Sequence, residues 1–484
     1  MSRGLPEQGR PVEKVLEELH ELRVNDLPTH GGRTLAYVYD SGLTGLDELA
    51  AQAHALASAA NGLDPTVFPS LLAMENDLVR AACDLLDAPE GAVGTVTSGG
   101  TESCLLAVLA AVKARPEVDR PRIVLPTTAH AAFRKAAHYF GLEVATVPVD
   151  PESFRADPEA MVDALDERTV LVVVSAPSYA HGVVDPVPPV AAAAAERGIR
   201  CHVDACIGGW VLPYLARLGV AVPPFDFGVP GVTSISVDLH KYAYCPKGVS
   251  VLLHRDAALR RTQYFASADW PGYTMINSTV QSTRSGGPLA AAWAVLQHIG
   301  DDGYLELARR TWHAVRALRA GITETPGLRL LGEPDATLLA VTTTEDAGFD
   351  VYTLADEMRL RGWYVQPQFA HGPSPANLHL TVTAANYGGE QRFLDDLAEA
   401  IRAADERGPV AVPEQVLATV TALDPDALTP EQFAGLLTAV DLRPDGTGGM
   451  PAERMAVVNA LLAAASPEVR ERLLTEFLGL LQRP

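Results

Sequence analysis

Chemistry that depends on a lysine amine has few places to occur in this chain. Of 38 basic residues only five are lysines: Lys14, Lys113, Lys135, Lys241 and Lys247. Lys14 falls off the apolar face of an amphipathic helix expected over 11–22, where Val12, Val15, Leu16 and Leu19 recur at helical spacing. Lys113 and Lys135 sit inside helical patterns and read as surface residues. Lys241 follows a β-branched run at 233–237 and lies beside His240, at the end of an expected strand. A lysine at a semi-buried strand end is usually paired or reactive. Stripped of water there, its amine should have a lowered pKa, as condensation with a carbonyl requires. Lys247 ranks second by the same elimination.

Three other segments bear on the same chemistry. Thr97-Ser-Gly-Gly-Thr-Glu-Ser103 stands between a strand and a helix, where small residues admit an anion to backbone N–H groups. Ser98 and Thr101 add hydroxyls, and Gly99 and Gly100 supply the close approach, although a plain connecting turn accounts for the same residues. It is neither a Walker loop nor a dinucleotide fingerprint. Asp204, in His202-Val-Asp-Ala-Cys-Ile-Gly-Gly209, ends an apolar strand, where ligands gather in open parallel sheets. Its carboxylate can pair with a protonated ring nitrogen or cap the next helix. His130 follows the run 122–125 and can stack on a flat heteroaromatic ring; a lone histidine is more often structural. Together these are an anion cradle, a stacking ring, an acid for a ring nitrogen and an amine for an aldehyde. Pyridoxal phosphate needs those four contacts.

The elements that must hold these residues are legible as alternation. Apolar runs at 92–97, 122–125, 144–149, 169–175, 199–203, 233–237 and 249–254 are separated for the most part by helical patterns at 101–113, 131–140, 158–165, 190–197 and 207–218. Such alternation predicts parallel strands with crossover helices in a three-layer α/β domain. The expected organisation is an N-terminal helical segment (1–60), a large domain (61–286), a smaller α+β domain (287–406) and a linker with a helical extension (407–484). Thr429-Pro-Glu-Gln432 and Ser466-Pro467-Glu468 mark helix starts in that extension.

Composition narrows the function classes. With 60 acidic residues against 38 basic, the formal net charge is −22, which opposes binding to nucleic acid or to an anionic membrane surface. The N-terminus lacks the apolar core of a secretory signal, and no apolar run approaches a bilayer span, so no membrane anchor is expected. Cys83, Cys104, Cys201, Cys206 and Cys245 are scattered without metal-ligand spacing, which predicts a reduced, cytoplasmic protein with no metal.

TSGGTES, HAAFRKAAHYFG, HGVVDPVP, HVDACIGGW, GVTSISVDLHKYAYCPKG and RSGG, in that order, resemble the sphingosine-1-phosphate lyase family, within the group II decarboxylases of fold-type I pyridoxal phosphate enzymes. The resemblance runs from about residue 32 to 382. It implies a large α/β domain with a mainly parallel sheet, a smaller α+β C-terminal domain, and pyridoxal 5′-phosphate as cofactor. Lys241 would bond the cofactor, Asp204 would hold its ring nitrogen, and His130 would stack on it. Ser98 to Thr101 would take its phosphate, with Ala205, Ser236 and His240 as further contacts. Gly286 and Gly287 would complete a partner subunit's phosphate site, which implies a homodimer with shared active sites. Substrate phosphate would fall to Tyr39, Lys247 and a histidine whose position is occupied here by Asp64; the family's tyrosine after a D-W-x-G segment is replaced by Met275 or its neighbours, or is Tyr273 if the alignment is shifted by two.

The expected reaction is retro-aldol cleavage of a phosphorylated amino alcohol to an aldehyde and an amino phosphate. The alternative is α-decarboxylation of an amino acid, which suits Asp64 if the substrate carries no phosphate. A catalytically silent scaffold would have no reason to keep Lys241, Asp204 and His130 together. A dinucleotide oxidoreductase would leave Lys241 unexplained.

Overall fold

A computed structural model describes residues 5–439 and 454–482. The large domain is a seven-stranded sheet: β1 (Val93–Thr97), β2 (Arg122–Pro126), β3 (Glu143–Val147), β4 (Thr169–Ser175), β5 (Arg200–Asp204), β6 (Val232–Asp238) and β7 (Ser250–His254). Their spatial order is β1-β7-β6-β5-β4-β2-β3. The pairs from β6 through β3 are parallel, as the alternation predicts, but β7 runs antiparallel to both β6 and β1. The reason is the connection: β6 and β7 are joined by a turn and coil with no crossover helix, and such a link returns the chain antiparallel.

Every residue of β4 and of β7 is buried, the pattern of strands covered on both faces. Helices Gly100–Ala114 and Ala132–Phe140 cover one face, with Phe133, Val108 and Ala136 fully buried against β2 and β4. Helices Pro69–Leu85, Val187–Glu196 and Gly208–Arg217 contribute to the larger core with Leu78, Val190 and Leu212. A fully buried Leu, Val or Phe contributes about 1.5–3 kcal/mol relative to an exposed one, so this double-sided core fixes the strand ends on which the site is built.

A short hairpin, β8 (Phe265–Ser267) with β9 (Met275–Asn277), leads into helix Gly286–Thr323, which breaks at Gly300 where φ is +63°. The smaller domain has the strands β10 (Leu328–Leu330), β11 (Leu338–Thr343), β12 (Gln366–Gln368) and β13 (Asn377–Thr381), all antiparallel, ordered β10-β11-β13-β12. Helices Val351–Leu360 and Glu390–Arg407 pack on it. The N-terminal segment also joins this domain: Leu35 is 1% exposed in its core, donates to Tyr364 O and accepts from Thr381 N.

The extension contains helices Glu414–Thr421, Pro430–Ala439, Ala456–Ala464 and Pro467–Leu481. Thr429 and Gln432 exchange side-chain and backbone hydrogen bonds, and Ser466 Oγ accepts from Val469 N, so both expected starts are capped. Among the described residues no helix is long and apolar enough to cross a membrane.

Candidate active site

Asp238 organises the site. It ends β6, and the turn after it folds Lys241 back so that its Nζ lies 2.9 Å from Asp238 Oδ2. Ser250 Oγ, from the neighbouring β7, donates to Asp238 Oδ1 at 2.5 Å, and His240 Nε2 stands 3.6 Å from Oδ2. Burial alone would draw the Lys241 amine down, but Asp238, Tyr39 and Cys206 outweigh it and hold the ammonium well above ordinary lysine. This corrects the expectation of a lowered pKa, because the sequence reading lacked the carboxylate three residues earlier. Burial likewise opposes the Asp238 charge, yet Lys241 and His240 hold its pKa below the usual value. Burial lowers the pKa of His240 despite Asp238, and its Nδ1 is placed to donate to Val249 O at 3.0 Å.

The glycine-rich turn runs directly past this pair. A Cβ on Gly100 would stand 2.7 and 2.8 Å from the Asp238 oxygens and 2.8 Å from Cys206 Sγ, so only glycine fits. Helix Gly100–Ala114 begins there without a side-chain cap, leaving its first N–H groups available to an anion. Glu102 shapes the turn: Oε2 accepts from Ser98 N at 2.6 Å and Oε1 from Val280 N at 2.8 Å. Ser98 and Thr101 are exposed at the mouth.

On the adjacent strand, Asp204 is buried at the end of β5, followed by fully buried Ala205. Asp204 Oδ1 accepts from Cys206 N at 3.2 Å and from Ser236 Oγ at 3.4 Å, while Oδ2 has no protein donor among the described residues. Ser236 also contacts His202 Nε2 at 3.2 Å, and His202 Nδ1 lies 2.8 Å from Ser234 Oγ. Burial lowers His202 to about 4, so it is neutral and orients Ser236. Cys104, Asp204 and Cys206 place one ligand atom each within 4.8 Å of one another. The Cys206 thiol is pushed well up by its hydrogen bond with Cys104 and by burial. Cys104 rises too, burial and the nearby carboxylates prevailing over its own bond to Cys206.

His130 is exposed, its Nδ1 accepting from Ala132 N at 3.2 Å, and it rims a cavity of about 320 Å³ shared with Thr127, Tyr179, His181, Phe369 and Asn377. Tyr179 donates to Gln366 Oε1 at 2.6 Å and stacks on His379 at 4.1 Å. Its hydroxyl pKa is raised by burial and by the nearby Tyr39, with Lys241 opposing.

Of the expected substrate ligands, Tyr39 and Lys247 come together. The Lys247 ammonium lies 5.0 Å from the Tyr39 ring centroid, and Tyr39 meets Tyr242 edge-on at 5.1 Å. Lys247 is an exposed residue, yet desolvation of its amine and the charge of Lys241 lower its pKa to about 8; its Nζ donates to His240 O at 3.5 Å, and it forms no ion pair among the described residues. Asp64 does not join them: Thr66 N and Oγ1 occupy its Oδ1 at 2.8 and 2.6 Å. Tyr273 stays on the β8–β9 hairpin, 53% exposed against Trp270. Gly286 and Gly287 open the long helix, where a Cβ would strike Leu71 and His54; in one chain their surroundings are helix packing.

Asp238, Glu102, His202 and Tyr179 are not among the residues expected from the sequence. Asp238 had a signal, a lone carboxylate ending an apolar strand three residues before the lysine. The other three depend on contacts between distant segments.

The residues present fit pyridoxal phosphate: a lysine held at the strand end, a buried carboxylate with one open oxygen, an uncapped glycine helix start and an exposed imidazole. A family model described as pyridoxal-dependent decarboxylase conserved domain matches residues 2–342, and a second, for a C-terminal HTH domain of pyridoxal-dependent enzymes, matches 414–480. Sphingosine-1-phosphate lyase of Dictyostelium discoideum is 37% identical over 400 residues, covering 82% of this chain and 74% of that one. Sphingosine-1-phosphate lyase 1 of Rattus norvegicus is 37% identical over 402 residues, covering 82% and 69%. The structure of a Burkholderia pseudomallei sphingosine-1-phosphate lyase superposes with TM-score 0.78 at 38% identity, covering 84% of this chain and 94% of the other. Glutamate decarboxylase of Lactobacillus brevis, at 22% identity and TM-score 0.73 over 84% and 96%, shares the fold. The chain belongs to the sphingosine-1-phosphate lyase family of pyridoxal-dependent decarboxylases and is a lyase that works with pyridoxal 5′-phosphate.

Proposed function

We propose that the chain cleaves the phosphates of long-chain amino alcohols, sphingosine 1-phosphate among them, to an aldehyde and phosphoethanolamine. The observation that carries the reading is Lys247, a cation beside Tyr39 near Lys241 with no acidic partner among the described residues. An ammonium kept there without a carboxylate partner, bonded only to His240 O at 3.5 Å, is a seat for an anion, and a phosphate on the carbon next to the amine-bearing carbon would fill it. Pyridoxal phosphate, when bound, supplies the electron sink for the carbon–carbon bond that breaks. Lys241 would hold it, and Asp204 would keep a proton on its ring nitrogen. Ser98, Gly99, Gly100 and Thr101 would bind its phosphate, and His130, Ala205, Ser236 and His240 would line it. Lys241 or a neighbouring histidine takes the β-hydroxyl proton and returns one to the α-carbon.

Asp64 lends the decarboxylase alternative no contact: its Oδ1 is bonded to Thr66, and it makes none with Tyr39 or Lys247 among the described residues. We infer a homodimer. Helix Val12–Leu22 leaves Val12, Val15, Leu16 and Leu19 exposed. Ser98 and Ser285, just before Gly286 and Gly287, line a cavity of about 570 Å³ where a partner's loop would complete the phosphate site. Tyr273, on its exposed hairpin, is the candidate for the further substrate tyrosine. The five free cysteines support a reducing, cytoplasmic setting, and the chain is taken to work as units 1–60, 61–286, 287–406 and 407–484.

Titration of the holoenzyme with phosphoethanolamine, followed by the visible spectrum, tests the reading. A saturable change that Lys247→Ala weakens by about tenfold or more is expected, as for loss of a charge-assisted contact. A flat spectrum together with no release of aldehyde from sphingosine 1-phosphate would refute it.

A further inference from the structure

The unit at 414–480 matches a helix-turn-helix description, yet its charge and contacts suit another task. It carries ten acidic and four basic residues and no lysine. A nucleic-acid reader needs a basic face to displace phosphate counterions. Three of those four cations are already engaged: Arg454 is 3.6 Å from Glu357, Arg472 is 2.8 Å from Glu476, and Arg470 is held within the unit.

Arg470 caps the end of helix Ala456–Ala464, donating to Leu462 O at 2.7 Å, Ala465 O at 3.3 Å and Ala463 O at 3.5 Å. Its guanidinium also lies 4.4 Å from the ring centroid of Phe369. The helix is anchored from the other end, where both oxygens of Asp356 accept from Met455 N and Ala456 N at 2.7 and 3.0 Å. Ala456 enters the small domain's core. Phe369 directly follows β12, a three-residue edge strand containing Pro367 and paired on one side only. Such a strand has little of its own to fix it. Yet β12 carries Gln366, which receives the Tyr179 hydroxyl, and Phe369 itself walls the cavity rimmed by His130.

We propose that the C-terminal unit is an intramolecular clamp and not a reader of nucleic acid. In it Arg470 is a positioning residue that holds Phe369, and through β12 the Gln366–Tyr179 bond, at the wall of the cavity rimmed by His130. The clamp itself is independent of the substrate's identity; its effect on substrate binding rests on the function proposed above.

The test is made on the full-length holoenzyme. Arg470→Ala should raise amide exchange in 366–376. It should raise KM for sphingosine 1-phosphate about five- to twentyfold while leaving kcat within about twofold, the scale of a partly desolvated cation–π contact. Phe369→Leu leaves the helix cap intact and should reproduce both effects. Arg470→Ala added to it should change little more. Unchanged exchange and KM in both variants would overturn the clamp, as would effects that simply add. Binding of a duplex of about 30 base pairs at low salt would overturn the exclusion of nucleic acid. If the wild type fails to cleave sphingosine 1-phosphate, the functional reading falls while the exchange experiment still judges the clamp.

Discussion

Asp238→Asn separates what the strand end does for stability from what it does for chemistry. The substitution keeps the shape and the hydrogen bond with Ser250 but removes the charge facing Lys241 at 2.9 Å. In the cofactor-free chain, the burial that already draws the Lys241 amine down then loses its main opponent. Breaking a buried ion pair from one side costs about 3–5 kcal/mol. For a cooperative unit of roughly 230 residues, 1 kcal/mol moves Tm by about 2 °C, so the cofactor-free form should melt roughly 6–10 °C lower. When the cofactor is bonded to Lys241 no free ammonium is left to strand, and the holoenzyme should lose less than half as much. The sign with pH follows from Lys241. Because its folded pKa is raised, the pair stabilises fully below the unfolded value and fades only as pH rises through the folded one. Loading at neutral pH must remove a proton that Asp238 holds in place, so wild-type loading should accelerate with pH and Asp238→Asn should flatten that rise. Thermal melts of both forms and stopped-flow loading by absorbance are the assays. Equal shifts in both forms, or an unchanged cofactor-free Tm, would refute the reasoning.

Two further outcomes are expected. Gly100→Ala adds a Cβ within 2.8 Å of Asp238 and Cys206. Overpacking of about 1–3 kcal/mol should outweigh a helix gain of about 1 kcal/mol. Equilibrium dialysis should then show weaker cofactor binding with little change in fold by circular dichroism; retained affinity would show that the turn yields freely. Burial holds His181, His202 and His254 at about 4 and His379 at about 3, so the unfolded chain binds protons there first as pH falls below about 6.5. Asp185, raised to about 6 by burial, opposes this in the same range. The balance from pH 7 to 5.5 is a loss of about 4 kcal/mol. His379→Gln should flatten the fall in Tm by about one proton's share, and a Tm constant over that range would refute the linkage.

The chemistry was legible in the sequence because strand alternation fixes which residues stand at the C-terminal ends of parallel strands. Asp204 ends β5 and Lys241 follows β6 by three residues as their runs imply, and the TSGGTES turn opens a helix. Composition reduced the lysines to five, which made Lys241 conspicuous. The direction of its pKa was misread because burial can be inferred from a local run of apolar residues, whereas the partner's distance cannot. Asp64 shows the same limit: its alignment position names a ligand, whereas its bonds to Thr66 through Oδ1 follow from the local turn.

What the sequence determined alone was periodic or local: the α/β alternation, the helix caps at Thr429 and Ser466, and the residue types of the cofactor site. Tertiary structure decided the reversed β7, which brings Ser250 to Asp238, and the path of the N-terminal segment across the small domain, which delivers Tyr39 to Lys247. It also decided the seat of Arg470 on Phe369. Each of these joins residues far apart in the chain, and such contacts form only when separate hydrophobic faces are buried together, a global condition that no local pattern encodes.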